Sequence, residues 1–148
     1  MKTEHHSWAG RNKYIIPFLQ KNSSIIDFGC GNKNILDFYT PKKYFGIDIN
    51  PNADLIIDLN NYNQDYSGYD YALVLGVLEY LDKPFEFLRK IKNSADTFII
   101  LNLCTNKKKK VWKHAFDAKN LNLEYQMIFK NIVHYKTSRY DIFICTNN

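Results

Sequence analysis

The sequence predicts an α/β fold, a doubly wound and mostly parallel sheet that ends in an antiparallel hairpin. Three observations predict it. Short apolar runs recur at strand length between polar turns, and several are apolar on both faces, as strands covered by helices above and below must be. Helical patterns lie between the runs. Near the C-terminus two longer apolar segments are joined by a short polar stretch, which reads as a hairpin.

Taken in order, the first helical pattern is Ala9 to Lys21, which puts Tyr14, Ile15, Phe18 and Leu19 on one side. Strand-length runs follow at Ser24 to Phe28, Tyr44 to Ile47, Asp54 to Ile57, Tyr71 to Leu75 and Thr97 to Leu101. The best-marked helix is Asp82 to Ser94: Asp82 suits its cap and Pro84 its first turn. Phe85, Leu88 and Ile91 make an apolar stripe, and Arg89, Lys90 and Lys92 favour its negative end. The predicted hairpin pairs Leu123 to Tyr135 with Arg139 to Thr146 through Lys136 to Ser138.

At 148 residues the chain is large enough for one core and too small for a core plus a separate substrate domain, so one domain over 1–148 is expected. Within it, 1–22 would form an N-terminal helix or cap, 23–103 a ligand-binding half and 104–148 the hairpin half. No apolar run approaches the roughly 18 residues of a membrane span. The opening "MKTEHHSWAG" leads into no apolar signal core, which makes the expected location cytoplasmic and the expected membrane contact none. Cys30, Cys104 and Cys145 are odd in number and far apart, against both a disulfide framework and a cysteine zinc site. The adjacent His5 and His6 cannot supply a full coordination shell, so no metal is expected. A net charge of +5 would help recruit an anionic partner.

The stretch "SSIIDFGCGNKN" holds the chemistry. An apolar strand runs straight into Gly29-Cys30-Gly31, where backbone could approach a ligand and the following segment could present free N–H groups. A glycine pair alone could be a plain turn. Acids strengthen the ligand reading: Asp27 stands at the end of this strand, Asp48 closes the next in "YFGIDIN", and Asp58 ends "ADLIID". Three carboxylates at consecutive strand ends would face one rim, and Asp48 is about as far along the chain as an acid that reaches ribose hydroxyls.

With these residues the chain resembles the class I S-adenosylmethionine-dependent methyltransferases, in their small-molecule branch. Asp27-Phe28-Gly29-Cys30-Gly31 is similar to their first motif, Gly46-Ile47-Asp48 to their ribose-binding acid, and Asp58 to the acid beside the adenine. "YDYALVLGVLEYLDKPFEFLRKI" resembles their fourth-strand region, with Leu78-Glu79-Tyr80 where many members carry Leu-Glu-His. The resemblance runs from Tyr14 to Leu103, and the tail matches the family's last two strands. It implies a Rossmann-like, seven-stranded sheet that binds S-adenosylmethionine and releases S-adenosylhomocysteine. It also implies roles: Asp27, Gly29, Cys30 and Gly31 beside the methionine part, Asp48 and Ile49 at the ribose, Asp58 and Leu59 flanking the adenine. Leu75 and Gly76 would floor the sulfonium, and Arg11 would pair with the cofactor carboxylate. Two features depart from the pattern: Lys33 stands where a third glycine is usual, and only five residues separate Asp48 from Asp54.

Other readings of the same pocket fit less well. A nicotinamide dehydrogenase wants glycine at Asn34, and the branch that methylates amines of DNA bases wants Asn/Asp-Pro-Pro-Tyr where Leu75-Gly76-Val77-Leu78 stands. The expected reaction is methyl transfer, preferentially to oxygen, on a small anionic acceptor such as a phosphorylated, nucleotide-linked or sugar metabolite. RNA is the alternative acceptor, through Lys107 to Lys110 with Trp112 and His114. A non-catalytic interaction module is the third reading. Methyl transfer needs alignment more than a fixed catalytic group, but an oxygen of high pKa needs a base. The leading candidates are His5, His6, Glu79 and Tyr80, with His114 and His134 behind them. A homodimer could complete the open rim.

Overall fold

The computed structural model describes residues 10–103 and 112–148. Seven strands form one sheet: β1 (Ser24–Phe28), β2 (Lys43–Asp48), β3 (Leu55–Ile56), β4 (Tyr69–Leu75), β5 (Ala95–Asn102), β6 (Asn131–Lys136) and β7 (Asp141–Thr146). Their order is β3-β2-β1-β4-β5-β7-β6. The first five strands pair in parallel, while β7 runs antiparallel to both β5 and β6. The chain therefore leaves β1 toward one side and returns at β4 on the other, and β1 and β4 flank the point where ligands meet an α/β sheet.

Alternation along the strands divides the core. Ile26, Phe28, Ala72, Val74, Phe98 and Ile100 face one side, packed by Phe87, Leu88 and Ile91 of α1 (Pro84–Ile91) and by Leu121 and Tyr125 of α2 (Ala118–Gln126). Ile25, Leu73, Leu75, Ile99 and Leu101 face the other, covered by Ile15 and Ile35 from short helical turns.

Three expectations change. The pattern over Ala9 to Lys21 is not one helix: the described helical residues 10–12 give way to a turn at 13–15 and a 3-10 turn at Ile16–Phe18, where Pro17 removes a backbone donor. Asp82 is not the cap of α1, whose N-cap is Lys83; the Asp82 carboxylate pairs with Lys113 instead. The third change is the largest. Leu123 to Gln126, expected as strand, belong to α2, because Asp117 caps a new helix through the Asn120 N–H at 3.0 Å and the four-residue spacing of Leu121 and Tyr125 buries both. As their number requires, the five residues between Asp48 and Asp54 carry no crossover helix, and β3 pairs with β2 at only two positions, Ile47 with Leu55 and Asp48 with Ile56.

Candidate functional site

The site forms at the carboxyl ends of β1, β2 and β4. Gly29 leaves β1 at φ +82° and its N–H donates to the Ile47 carbonyl at 2.7 Å, which draws the turn over the tip of β2. A Cβ on Gly29 would stand 2.3 Å from Val77 Cγ2, so only glycine lets the turn and the segment after β4 close together. Across the gap Gly76, at φ +65°, makes room for Arg11: a Cβ there would stand 2.2 Å from the guanidinium Nη1.

Between these elements lies a cavity of about 370 Å³, within the roughly 300–1,000 Å³ common for small-ligand sites. Of the residues expected to bind cofactor, it brings together Arg11, Gly29, Asp48, Ile49, Asp58, Leu59 and Gly76. Tyr80, expected at the acceptor wall, lines it as well. Sequence reasoning missed Ile57, Asn60, Val77 and Leu81. Ile57 and Asn60 adjoin Asp58 and Leu59, so the strand tip that carries the acid was their available signal. Val77 and Leu81 had none beyond proximity to Gly76 and Tyr80.

Asp48 sits at the tip of β2 with Oδ2 accepting from the Gly31 N–H at 2.7 Å and Oδ1 from the Asn50 N–H at 2.9 Å. Each oxygen has a second lone pair for a ligand hydroxyl. Beside it Ile49 is 71% exposed, an apolar side chain at the cavity that a flat apolar group would cover. Asp58 caps a 3-10 turn, Leu59–Asn61, through the Asn60 N–H at 2.9 Å.

Asp27, Cys30, Gly31 and Leu75 are not among the residues that line the cavity, but Asp27 adjoins two that are, Arg11 and Asp48, and Gly31 is bonded to Asp48. Asp27 is only 4% exposed, because its place in β1 turns the side chain onto the same sheet face as Ile25, where Ile15 and Ile35 pack. Burial raises its pKa to about 6, opposed by a hydrogen bond from Tyr44 and by the Arg11 charge. Burial lowers the Arg11 pKa, and Glu79, Tyr140, Asp27 and Tyr80 oppose that effect.

Glu79 is placed differently from an acceptor-facing base. It is 1% exposed, and Oε1 accepts from the Leu103 N–H at 3.3 Å and from Asn102 Nδ2 at 3.4 Å. Asn102 in turn accepts from the Tyr125 hydroxyl at 2.8 Å. The carboxyl thus braces the ends of β4 and β5, with a pKa raised by burial. His114 contacts the Leu81 carbonyl at 2.9 Å, and His134 pairs with Asp141 at 2.6 Å on the hairpin. His5, His6, and Lys107 to Lys110 lie outside the described residues. Among the described residues no three His, Cys, Asp or Glu side chains gather as metal ligands would, and no helix is long and apolar enough to cross a membrane.

The arrangement fits an adenosine bearing an amino-acid arm. The carboxylates of Asp48 and Asp58 stand at one end of the cavity with an exposed isoleucine between them in its lining, and a guanidinium stands beside Gly76.

Comparison with known proteins agrees. The sequence matches the model of a methyltransferase domain over residues 2–138. No curated protein matches it. Among solved structures, a SAM dependent methyltransferase from Archaeoglobus fulgidus is similar at TM-score 0.75 and 12% identity, covering 97% of this chain and 94% of that one. Magnesium protoporphyrin IX methyltransferase from Synechocystis PCC 6803, solved with bound SAH, is similar at TM-score 0.64 and 10% identity, covering 97% and 83%. The small RNA methyltransferase HEN1 is similar at TM-score 0.74 and 15% identity, covering 97% of this chain but 26% of that one. At such identities the likeness is one of fold.

Proposed function

This chain belongs to the methyltransferase-domain family, as a class I S-adenosylmethionine-dependent enzyme, and from that premise we propose that the cavity between Gly29, Asp48 and Gly76 holds the cofactor and presents its methyl group to a small anionic acceptor. The observation that carries this reading is the Asp48 carboxylate, fixed by two backbone N–H groups at the rim of a cavity sized for a nucleoside. When bound, the cofactor supplies a methyl group on a positively charged sulfur that departs neutral.

The chain's own residues then have to bind, orient and exclude water. Asp48 would accept from both ribose hydroxyls, and Ile49 and Leu59 would cover the faces of the base, with Asp58 at its edge. Arg11 would take the carboxylate of the amino-acid arm and Asp27 its ammonium. Gly29 and Gly76 keep side chains out of that path. Tyr80, on the cavity wall, would face the acceptor. The net charge of +5 supports an anionic acceptor, and oxygen is the preferred atom.

RNA is the second reading, supported by the run Lys107 to Lys110 and by a similar fold in an RNA methyltransferase. Labelled cofactor offered with phosphorylated and nucleotide-linked metabolites, and in parallel with short RNAs, separates the two. Label on a metabolite supports the first reading. Label on RNA alone overturns it.

A further inference from the structure

β1 and β2 place Asp27 and Tyr44 side by side on the sheet face where Ile15 and Ile35 pack. Asp27 is in register with Gly46, so Tyr44, two residues earlier on β2, points to the same face. Its hydroxyl donates to Asp27 Oδ2 at 2.8 Å. Gly46 leaves the space for that reach: a Cβ there would stand 2.8 Å from Cys30 Sγ and 3.1 Å from Tyr44 Cε1.

The tyrosine ring is also held from outside. Lys33 Nζ lies 5.9 Å from the ring centroid and pairs with Asp54 Oδ1 at 2.7 Å, while Asp54 Oδ2 accepts from the Gly46 N–H at 2.7 Å. The lysine that replaces the family's third glycine thus links the glycine turn to β2 across the face of Tyr44. A structural tyrosine could have been phenylalanine, since the ring fills the space either way. The hydroxyl is explained by the carboxylate it meets.

A carboxylate as buried as Asp27 is costly unless hydrogen-bonded. The groups that face it are Arg11 from the N-terminal segment, Asp48 and Tyr44 from β2, and Cys30 from the turn. Arg11 and Tyr44 favour its charged form, while Asp48 opposes it.

We propose that Tyr44 is a positioning residue for cofactor binding: by donating to Asp27 Oδ2 it orients that carboxylate toward the positively charged amino-acid end of the cofactor. The inference rests on Asp27 receiving that ammonium, as proposed above. With a carboxyl that titrates near 6, affinity for the cofactor falls on acidification. Without the Tyr44 hydroxyl the fall begins at higher pH, because the charged form has lost a donor.

The test is calorimetric titration of the full chain with S-adenosylhomocysteine between pH 5 and pH 8.5, for the wild type, Tyr44→Phe, Asp27→Asn and the double variant. Wild-type affinity should drop by about tenfold per pH unit once Asp27 protonates. In Tyr44→Phe affinity should fall severalfold even at pH 8.5, where Asp27 is charged in both proteins, and the further drop on acidification should begin at higher pH. In the Asp27→Asn background the tyrosine change should have no further effect. Equal loss in the Asp27→Asn background would mean only that the tyrosine shapes the site, and would overturn the proposal, as would wild-type affinity of Tyr44→Phe at pH 8.5. Should Tyr44→Phe fail to fold, Tyr44→Met, an apolar side chain smaller than the ring and without a hydroxyl, replaces it. Failure of the underlying reading looks different: Asp27→Asn would then bind like the wild type, with a flat wild-type profile.

Discussion

The Gly31 N–H donates to Asp48 Oδ2 at 2.7 Å, so the acid at the tip of β2 and the turn after β1 hold each other in place. Asp48 also accepts from Asn50. Asp48→Ala leaves two backbone donors without their acceptor. We expect a loss of about 1–2 kcal/mol in folding stability, since the site is part-exposed and water can replace some of the bonding. Cofactor affinity should fall by well over tenfold, on the order of the loss of a charge-assisted hydrogen bond. Urea denaturation and calorimetry measure the two effects separately.

Gly29 faces both a left-handed backbone and a side chain. Gly29→Ala should cost about 2–4 kcal/mol, from the αL penalty together with the clash against Val77. Adding Val77→Ala should recover the clash but not the backbone strain. Full recovery in urea denaturation would show that the φ of +82° is not costly for alanine there.

Buried Asp27 makes the free protein pH-sensitive. Its folded pKa, about 6, lies above the ordinary carboxylate value of 3.8, so the folded state binds the proton more tightly than the unfolded one. The stability linked to this proton is fully present below pH 3.8 and is lost as pH rises through 6. Asp27→Asn should therefore stabilise the cofactor-free protein above pH 6, by up to about 3 kcal/mol, and the gain should vanish toward pH 4. Thermal melts across that range check it. A variant less stable than the wild type at pH 8 would contradict the account.

α2 depends on its cap. Asp117 accepts from Asn120 N–H and from Asn120 Nδ2, at 3.0 and 2.6 Å. Asp117→Ala should cost about 1 kcal/mol. Hydrogen exchange should quicken in Ala118–Gln126 more than in β6.

How much of this was legible depends on the range of the interactions involved. The five parallel strands were readable because short apolar runs bounded by turns are local signals, and the acids at 27, 48 and 58 sit near strand ends in the chain itself. Residues 118–126 were not readable as a helix. Leu121, Leu123 and Tyr125 alternate like a strand, yet Leu121 and Tyr125 are also one helical turn apart, and the sheet face beneath them selects the second pattern. Leu123 is left 54% exposed as a result.

The sequence by itself determined the run of parallel strands, the glycine turn and the acid at the tip of β2, because each follows from neighbours in the chain. Tertiary structure decided what those residues face. Only the pairing of β1 with β2 sets Tyr44 against Asp27, and only the fold of the N-terminal segment sets Arg11 over Gly76. Glu79 went the other way: a polar residue after β4 could face ligand or core, and bonds to Leu103 and Asn102, about two dozen residues downstream, turned it inward. Side-chain direction at a strand end depends on partners distant in sequence, and those partners exist only once the sheet has formed.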